Sequence, residues 1–181
     1  MASFQRLTVV VSLALAVLTS YFVPTFSQVN NDLASLRQFV QGFYDWYVPI
    51  ALKEANVPAF DIALKRKPSA FSPELVKALQ EDSAAQAKVP DDIVGIDWDP
   101  FLYCQDPDDH YAVGRITKQG RTYLVELYGI QGGKKRPTVA VIAEVAQADG
   151  KWFFVNFHSA EGGDLLNALA SAKKSRQKAT K

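Results

Sequence analysis

Leu33, Leu36, Phe39, Val40, Phe43, Tyr47 and Ile50 recur at intervals of three and four, which predicts an amphipathic helix from Asp32 to about Leu52. Asn31 or Asp32 is placed to cap it, and Pro49 is expected to kink or end it near Val48. A short helix is predicted over Phe60–Lys67, between Pro58 and Pro68. Ser72-Pro73-Glu74 then opens a second clear helix: Ser72 suits the N-cap, proline is favoured at the first position, and Glu74 complements the helix dipole. Its apolar face is Leu75, Val76 and Leu79, and an alanine-rich run carries it to Ala87. Asp91 to Asp109 is irregular, because Pro100 and Pro107 exclude a long helix.

Beyond His110 the period of the pattern falls to two. Strands are predicted over His110–Thr117, Thr122–Tyr128, Thr138–Gln147 and Trp152–His158. Gly129 to Pro137 is expected to be a basic, glycine-rich loop. Alternation puts Tyr123, Val125 and Leu127 on one face of the second strand, with Glu126 and Tyr128 on the other. On the last strand it puts Phe153, Val155 and Phe157 on one face, with Trp152, Phe154, Asn156 and His158 on the other. Whether Glu144 faces Asn156 depends on the turn. A three-residue Ala148-Asp149-Gly150 turn puts them on one face, and a two-residue Asp149-Gly150 turn on opposite faces. Gly162-Gly163 breaks the chain, and Asp164 can cap a short last helix. The connections are too short for crossover helices, so the strands should form an antiparallel sheet. The predicted class is α+β, with N-terminal helices packed on a four-stranded sheet and a short C-terminal helix.

The first 27 residues stand apart. Arg6, the apolar run Leu7–Leu18, the break at Pro24 and the small residues of Thr25-Phe26-Ser27 have the order of a secretory signal peptide. Cleavage after Ser27 would send the remainder to the periplasm or outside the cell, with no stable membrane insertion. The alternative is an uncleaved N-terminal membrane anchor, since no charge lies between Arg6 and Asp32. A single domain is expected over residues 28–172, followed by a basic tail, 173–181.

Charge sharpens that division. The 181-residue chain has 20 Lys+Arg against 19 Asp+Glu. Without Arg6 the two are equal, and the tail alone holds five bases and no acid. Gln28–Ala172 therefore has 14 bases and 19 acids, a net charge of −5. That balance argues against nucleic acid as a partner. One cysteine, Cys104, excludes an intrachain disulfide, and two histidines argue against a multi-histidine metal centre. No cofactor or metal is expected.

Several residues carry a resemblance. RQFVQGFYDWY, SPELVKAL, DWDPFLYCQDP and KWFFVNFH resemble a secreted bacterial family catalogued as domain of unknown function 3828. The resemblance spans about residues 33–169, and Asp99-Pro100-Phe101 with Gln105-Asp106-Pro107 is its most specific part. The family is similar to the cystatin-like cones typified by nuclear transport factor two, in which a curved antiparallel sheet wraps helices and leaves a pocket at its open end. The resemblance implies no established activity, and the wider fold hosts both enzymes and binding modules. Such a pocket would use Tyr44, Tyr47, Trp98, Tyr128, Asn156 and His158 for a small molecule.

The acidic segment, with Asp97, Asp99, Gln105, Asp106 and Asp108, is a second candidate, for a partner or a cation. Calcium would find oxygen ligands there, but Asp-Pro pairs also favour turns, and turn chemistry is the expected role. The expected function is an exported, non-catalytic binding module for a small molecule in the cone or a protein on the sheet. A homodimer through the sheet is a further option. One alternative is a small acid–base enzyme of isomerase or dehydratase type, using His158 or a strand carboxylate. The other is an immunity or inhibitor protein for a basic partner.

Overall fold

A computed structural model describes residues 26–53, 57–89 and 91–179. The expected signal peptide, and the anchor alternative with it, lies outside them up to Thr25. Among the described residues no helix is long and apolar enough to cross a membrane. Three helices come first: α1 (Phe26–Ala51), α2 (Ala59–Arg66) and, after a 3₁₀ turn at Pro68–Ala70, α3 (Pro73–Gln86). The strands β1 (His110–Gln119), β2 (Thr122–Gln131), β3 (Lys134–Lys135), β4 (Val141–Ala148) and β5 (Lys151–Ser159) follow, and α4 (Leu165–Ala179) closes the chain. The sheet is open and antiparallel, in the order β1-β2-β4-β5, so the α+β class holds.

The elements depart from the pattern at identifiable places. α1 is helical from the first described residue, Phe26, so Asn31 and Asp32 lie within it and do not cap it. Pro49 sits inside its last turn. The bond that Pro49 cannot donate costs little there, because Asp45 is exposed and its carbonyl can meet water. The sheet has a fifth strand, because the basic loop folds back through Gly132-Gly133 and pairs Lys134 and Lys135 with the end of β2. As predicted, Ser72 caps α3 by accepting the Leu75 N–H at 3.2 Å.

The core lies between α1 and one sheet face. Leu36, Val40, Phe43, Tyr44, Tyr47 and Val48 bury against Val125, Leu127, Val141, Ala143, Val145, Phe154 and Phe157. On β5 the frame taken from strict alternation is corrected. The β4–β5 turn is the two-residue Asp149-Gly150, both residues at positive φ, which alone would separate Glu144 from Asn156. A bulge then inserts Val155, so that Val145 pairs with Phe154 but Glu144 pairs with Asn156. Trp152 and Phe154 therefore join Phe157 on the core face, Phe153 does not, and Asn156 and His158 turn outward.

Both sheet edges are occupied. Along β1, Arg37 donates to the carbonyls of Val113 and Gly114, while Gln41 donates to Tyr111 O and accepts from Val113 N–H. Along β5, Phe71 and Asp164 form single bridges to Phe154 and His158. Edge groups satisfied in this way do not template a further strand. The tail is likewise not separate: α4 runs through Lys173, which reaches Glu81 at 2.6 Å, and Arg176, which reaches Asp82 at 2.6 Å.

Candidate functional site

The Asp99-Pro100-Phe101 motif builds a tight loop. Asp99 Oδ1 accepts the N–H groups of Phe101 (2.9 Å) and Leu102 (3.0 Å), as an N-cap residue does, with Pro100 in the favoured next position. Phe101 and Leu102 are fully buried. The Phe101 ring stacks on Phe71 at 4.9 Å and meets Tyr47 edge-on at 5.2 Å. Tyr44 donates its hydroxyl proton to Phe101 O at 2.7 Å, and Tyr47 donates to Asp99 Oδ2 at 2.5 Å. The aromatic helix therefore fixes the acidic loop from beneath.

A cleft of about 560 Å³ opens on this loop. Its walls are the end of α1, the start of α2 near Phe60, and Ile96, Asp97, Trp98, Asp99 and Gln105. Gln105 Nε2 donates to Asp97 O at 3.2 Å and to its carboxylate at 3.3 Å. The buried Trp98 Nε1 has no hydrogen-bond partner among the described residues. Loss of hydration pushes the Asp99 carboxyl up to about 6, against the downward pull of the bonds from Tyr47, Phe101 and Leu102. A carboxyl in that range changes charge near neutral pH and can act as an acid, a base or a switchable anion.

No family model matches the chain, and no curated protein matches it. A solved structure of a protein of unknown function from Bacteroides thetaiotaomicron is similar to it, at 16% identity. The match covers 72% of this chain and 98% of that one, with a TM-score of 0.46.

The other residues singled out from the sequence do not gather here. Tyr44 and Tyr47 are sealed in the core, each at most 1% exposed. Tyr128, Asn156 and His158 lie on the opposite face of the sheet, so the six residues expected to share a pocket are divided among core, cleft and outer face. On that outer face His158 Nε2 meets Glu144 Oε2 at 2.9 Å, and Thr122 donates to Glu144 Oε1 at 2.9 Å. Asn156 is committed to α4: it donates to Asp164 and accepts from Leu166 N–H. Tyr128 donates to Glu126, which also holds Arg115, and Lys135 lies 3.8 Å over the Tyr128 ring.

The second half of the acidic segment is structural. Asp108 is buried and takes a bidentate bond from Arg136, with its carboxylate pressed against Gly129, where any side chain would collide. Asp109 accepts from Gly132 N–H at 2.7 Å. The acids of one segment thus hold the basic hairpin of another, and Asp106 stays exposed. The calcium arrangement does not assemble: among the described residues no three of His, Cys, Asp and Glu form a metal-binding group. Burial, and then the charges of Asp99, Asp108 and Asp106, push the Cys104 thiol up against its hydrogen bond with Tyr111, which disfavours the thiolate.

Sequence reasoning found Asp97, Trp98, Asp99 and Gln105 but missed the opposing wall of Lys53, Val57, Pro58 and Phe60. Its one signal was Pro58, read only as punctuation.

Proposed function

We propose that this chain is an exported, non-catalytic binding module that takes a small ligand in the cleft at the end of α1. The carrying observation is that Asp97, Trp98, Asp99 and Gln105 converge on one open cleft, while the space between α1 and the sheet is filled by side chains. A cleft of that volume matches those that hold small organic ligands. Trp98 and Phe60 offer apolar surface, and Asp97, Asp99 and Gln105 offer polar contacts. On this reading the fold is a cystatin-like cone of the secreted family it resembles, with its pocket displaced to the rim, and residues 1–27 are its export signal. The packing of α1 on one face of an open antiparallel sheet supports the cone.

Binding is favoured over turnover because both Asp99 oxygens are engaged. As a general base Asp99 has only the second lone pair of Oδ2 to offer, since Oδ1 accepts two N–H bonds and Oδ2 accepts from Tyr47. The acid–base reading rests on one observation, the rise of Asp99 to about 6. The inhibitor reading has less support, since Asp108 and Asp109 are spent within the fold.

The test is native mass spectrometry of the mature chain purified from its own host, beside an Asp97→Ala, Gln105→Ala double variant. The wild type should carry a small-molecule adduct that the double variant loses while melting within about 2 °C of it. An adduct retained by the double variant, or none on either, overturns the assignment. Chemical conversion of the recovered ligand by the wild type would favour the enzyme.

A further inference from the structure

A second hollow lies along α1, away from the acidic cleft. It has a volume of about 800 Å³ and runs between α1, the 3₁₀ turn and the start of β5. Phe39 forms its aromatic wall, with the edges of Phe43 and Trp152 behind it, and Pro68 and Ala70 extend it. Arg66, Lys67, Lys151 and Ser69 supply the polar lining, and no carboxylate lines it. Three cations with no acid among them run against the net charge of −5 over Gln28–Ala172. Lys67 lies 4.8 Å from the Trp46 ring centroid. Among the described residues Arg66 and Lys151 form no ion pair or side-chain hydrogen bond, so their charge is available to a ligand.

Gly42 adds an independent observation. It sits inside α1 and lines the hollow, although glycine is the poorest helix former after proline. A Cβ built there meets nothing within 4 Å, so no close neighbour requires a glycine. The missing side chain leaves the hollow open. An aromatic wall, unpaired cations and a helix position kept bare combine apolar contact with anion recognition.

We propose that this hollow is a second binding site, for a small amphipathic anion: one molecule with an aromatic or branched apolar body and a carboxylate, sulfonate or phosphate end. The body lies on Phe39 and Pro68, at the edges of Phe43 and Trp152, and the anionic end meets Arg66 and Lys151. The assignment is independent of the acidic cleft, which has the opposite charge character.

The probe is 8-anilinonaphthalene-1-sulfonate, compared with N-phenyl-1-naphthylamine, the same rings without the sulfonate, on the folded mature chain. The sulfonate should bind at one site by fluorescence titration, about tenfold more tightly than the neutral amine, and more weakly as salt rises. Gly42→Leu should abolish that binding and leave the melting temperature equal or higher, because leucine favours helix. An Arg66→Gln, Lys151→Gln double variant should lose about tenfold for the sulfonate and nothing for the amine. Unchanged sulfonate binding in Gly42→Leu, or equal affinity of wild type for both probes, overturns the proposal. So does co-sedimentation of the wild type with phosphatidylglycerol vesicles without any binding of the soluble probe, which would assign the cations to a membrane surface.

Discussion

Replacing Asp99 by asparagine should flatten the dependence of stability on pH between about 4 and 6. The ordinary value of this carboxyl is 3.8, and burial raises it to about 6 in the folded chain. The folded chain therefore binds the proton more tightly than the unfolded chain does. The resulting stabilisation is complete below about 4, falls as pH rises, and is gone above about 6. At 1.36 kcal/mol per pH unit the interval is worth at most about 3 kcal/mol, a large part of a typical domain's stability. Glu126 and Asp164 are lowered, burial opposing the bonds that each accepts, from Arg115 and Tyr128 or from Asn156 and Asn167. Their contribution is instead lost on acidification below their ordinary range, so the difference between parent and variant isolates Asp99. Asparagine keeps an oxygen for the Phe101 and Leu102 N–H groups and turns an N–H toward the Tyr47 oxygen. The assay is urea unfolding of both proteins at pH 4, 5, 6 and 7. The parent should lose stability across this range relative to the variant. Parallel profiles would refute the buried, proton-binding Asp99.

Three further substitutions test the packing and the ion pairs of α4. Phe43 is 3% exposed and in ring contact with Tyr44, Trp46, Tyr47, Phe71, Phe101 and Phe154, so Phe43→Ala should cost about 3–5 kcal/mol in urea unfolding. A loss below about 1 kcal/mol would contradict the packing described. Arg176→Ala should cost about 3 kcal/mol, because it strands Asp82, whose side chain is 5% exposed. Lys173→Ala, whose partner Glu81 lies in solvent, should leave unfolding unchanged, and equal effects of the two would refute the distinction.

Features specified by neighbours in the chain were legible in the sequence. Ser72-Pro73-Glu74 carries its own cap, and Asp149-Gly150 favours its own turn, so α3 and the β4–β5 hairpin fell where the pattern put them. The Val155 bulge has no such local marker. It follows from burying Phe154 and Phe157 on the same face, which strict alternation forbids for residues three apart. One inserted residue then reversed the faces assigned to half of the strand and brought Glu144 opposite Asn156. The acidic segment and the basic loop misled for a related reason. The acidic segment resembles a site and the basic loop a free charge cluster when each is considered alone, but Asp108 and Arg136, 28 positions apart, neutralise one another in the fold.

The same long-range packing decides where a ligand can go. A helix laid across a sheet encloses a cavity only if the side chains between them are too small to fill it. Here Phe43, Phe71, Phe101, Phe154 and Phe157 interlock, with centroid separations of 4.8–5.8 Å among the contacting pairs. Tyr44 and Tyr47 spend their hydroxyls on the loop beneath the cleft. An interior filled to that density cannot admit a guest without losing contacts worth several kcal/mol. Binding surface is then left where α1 has few covering partners: at its end, beside the Asp99 loop, and at the bare face of Gly42. The aromatic residues that suggested a pocket lining fill the space between α1 and the sheet, and on the proposed reading chemistry should be sought through Asp97, Asp99 and Gln105 rather than through the tyrosines below them.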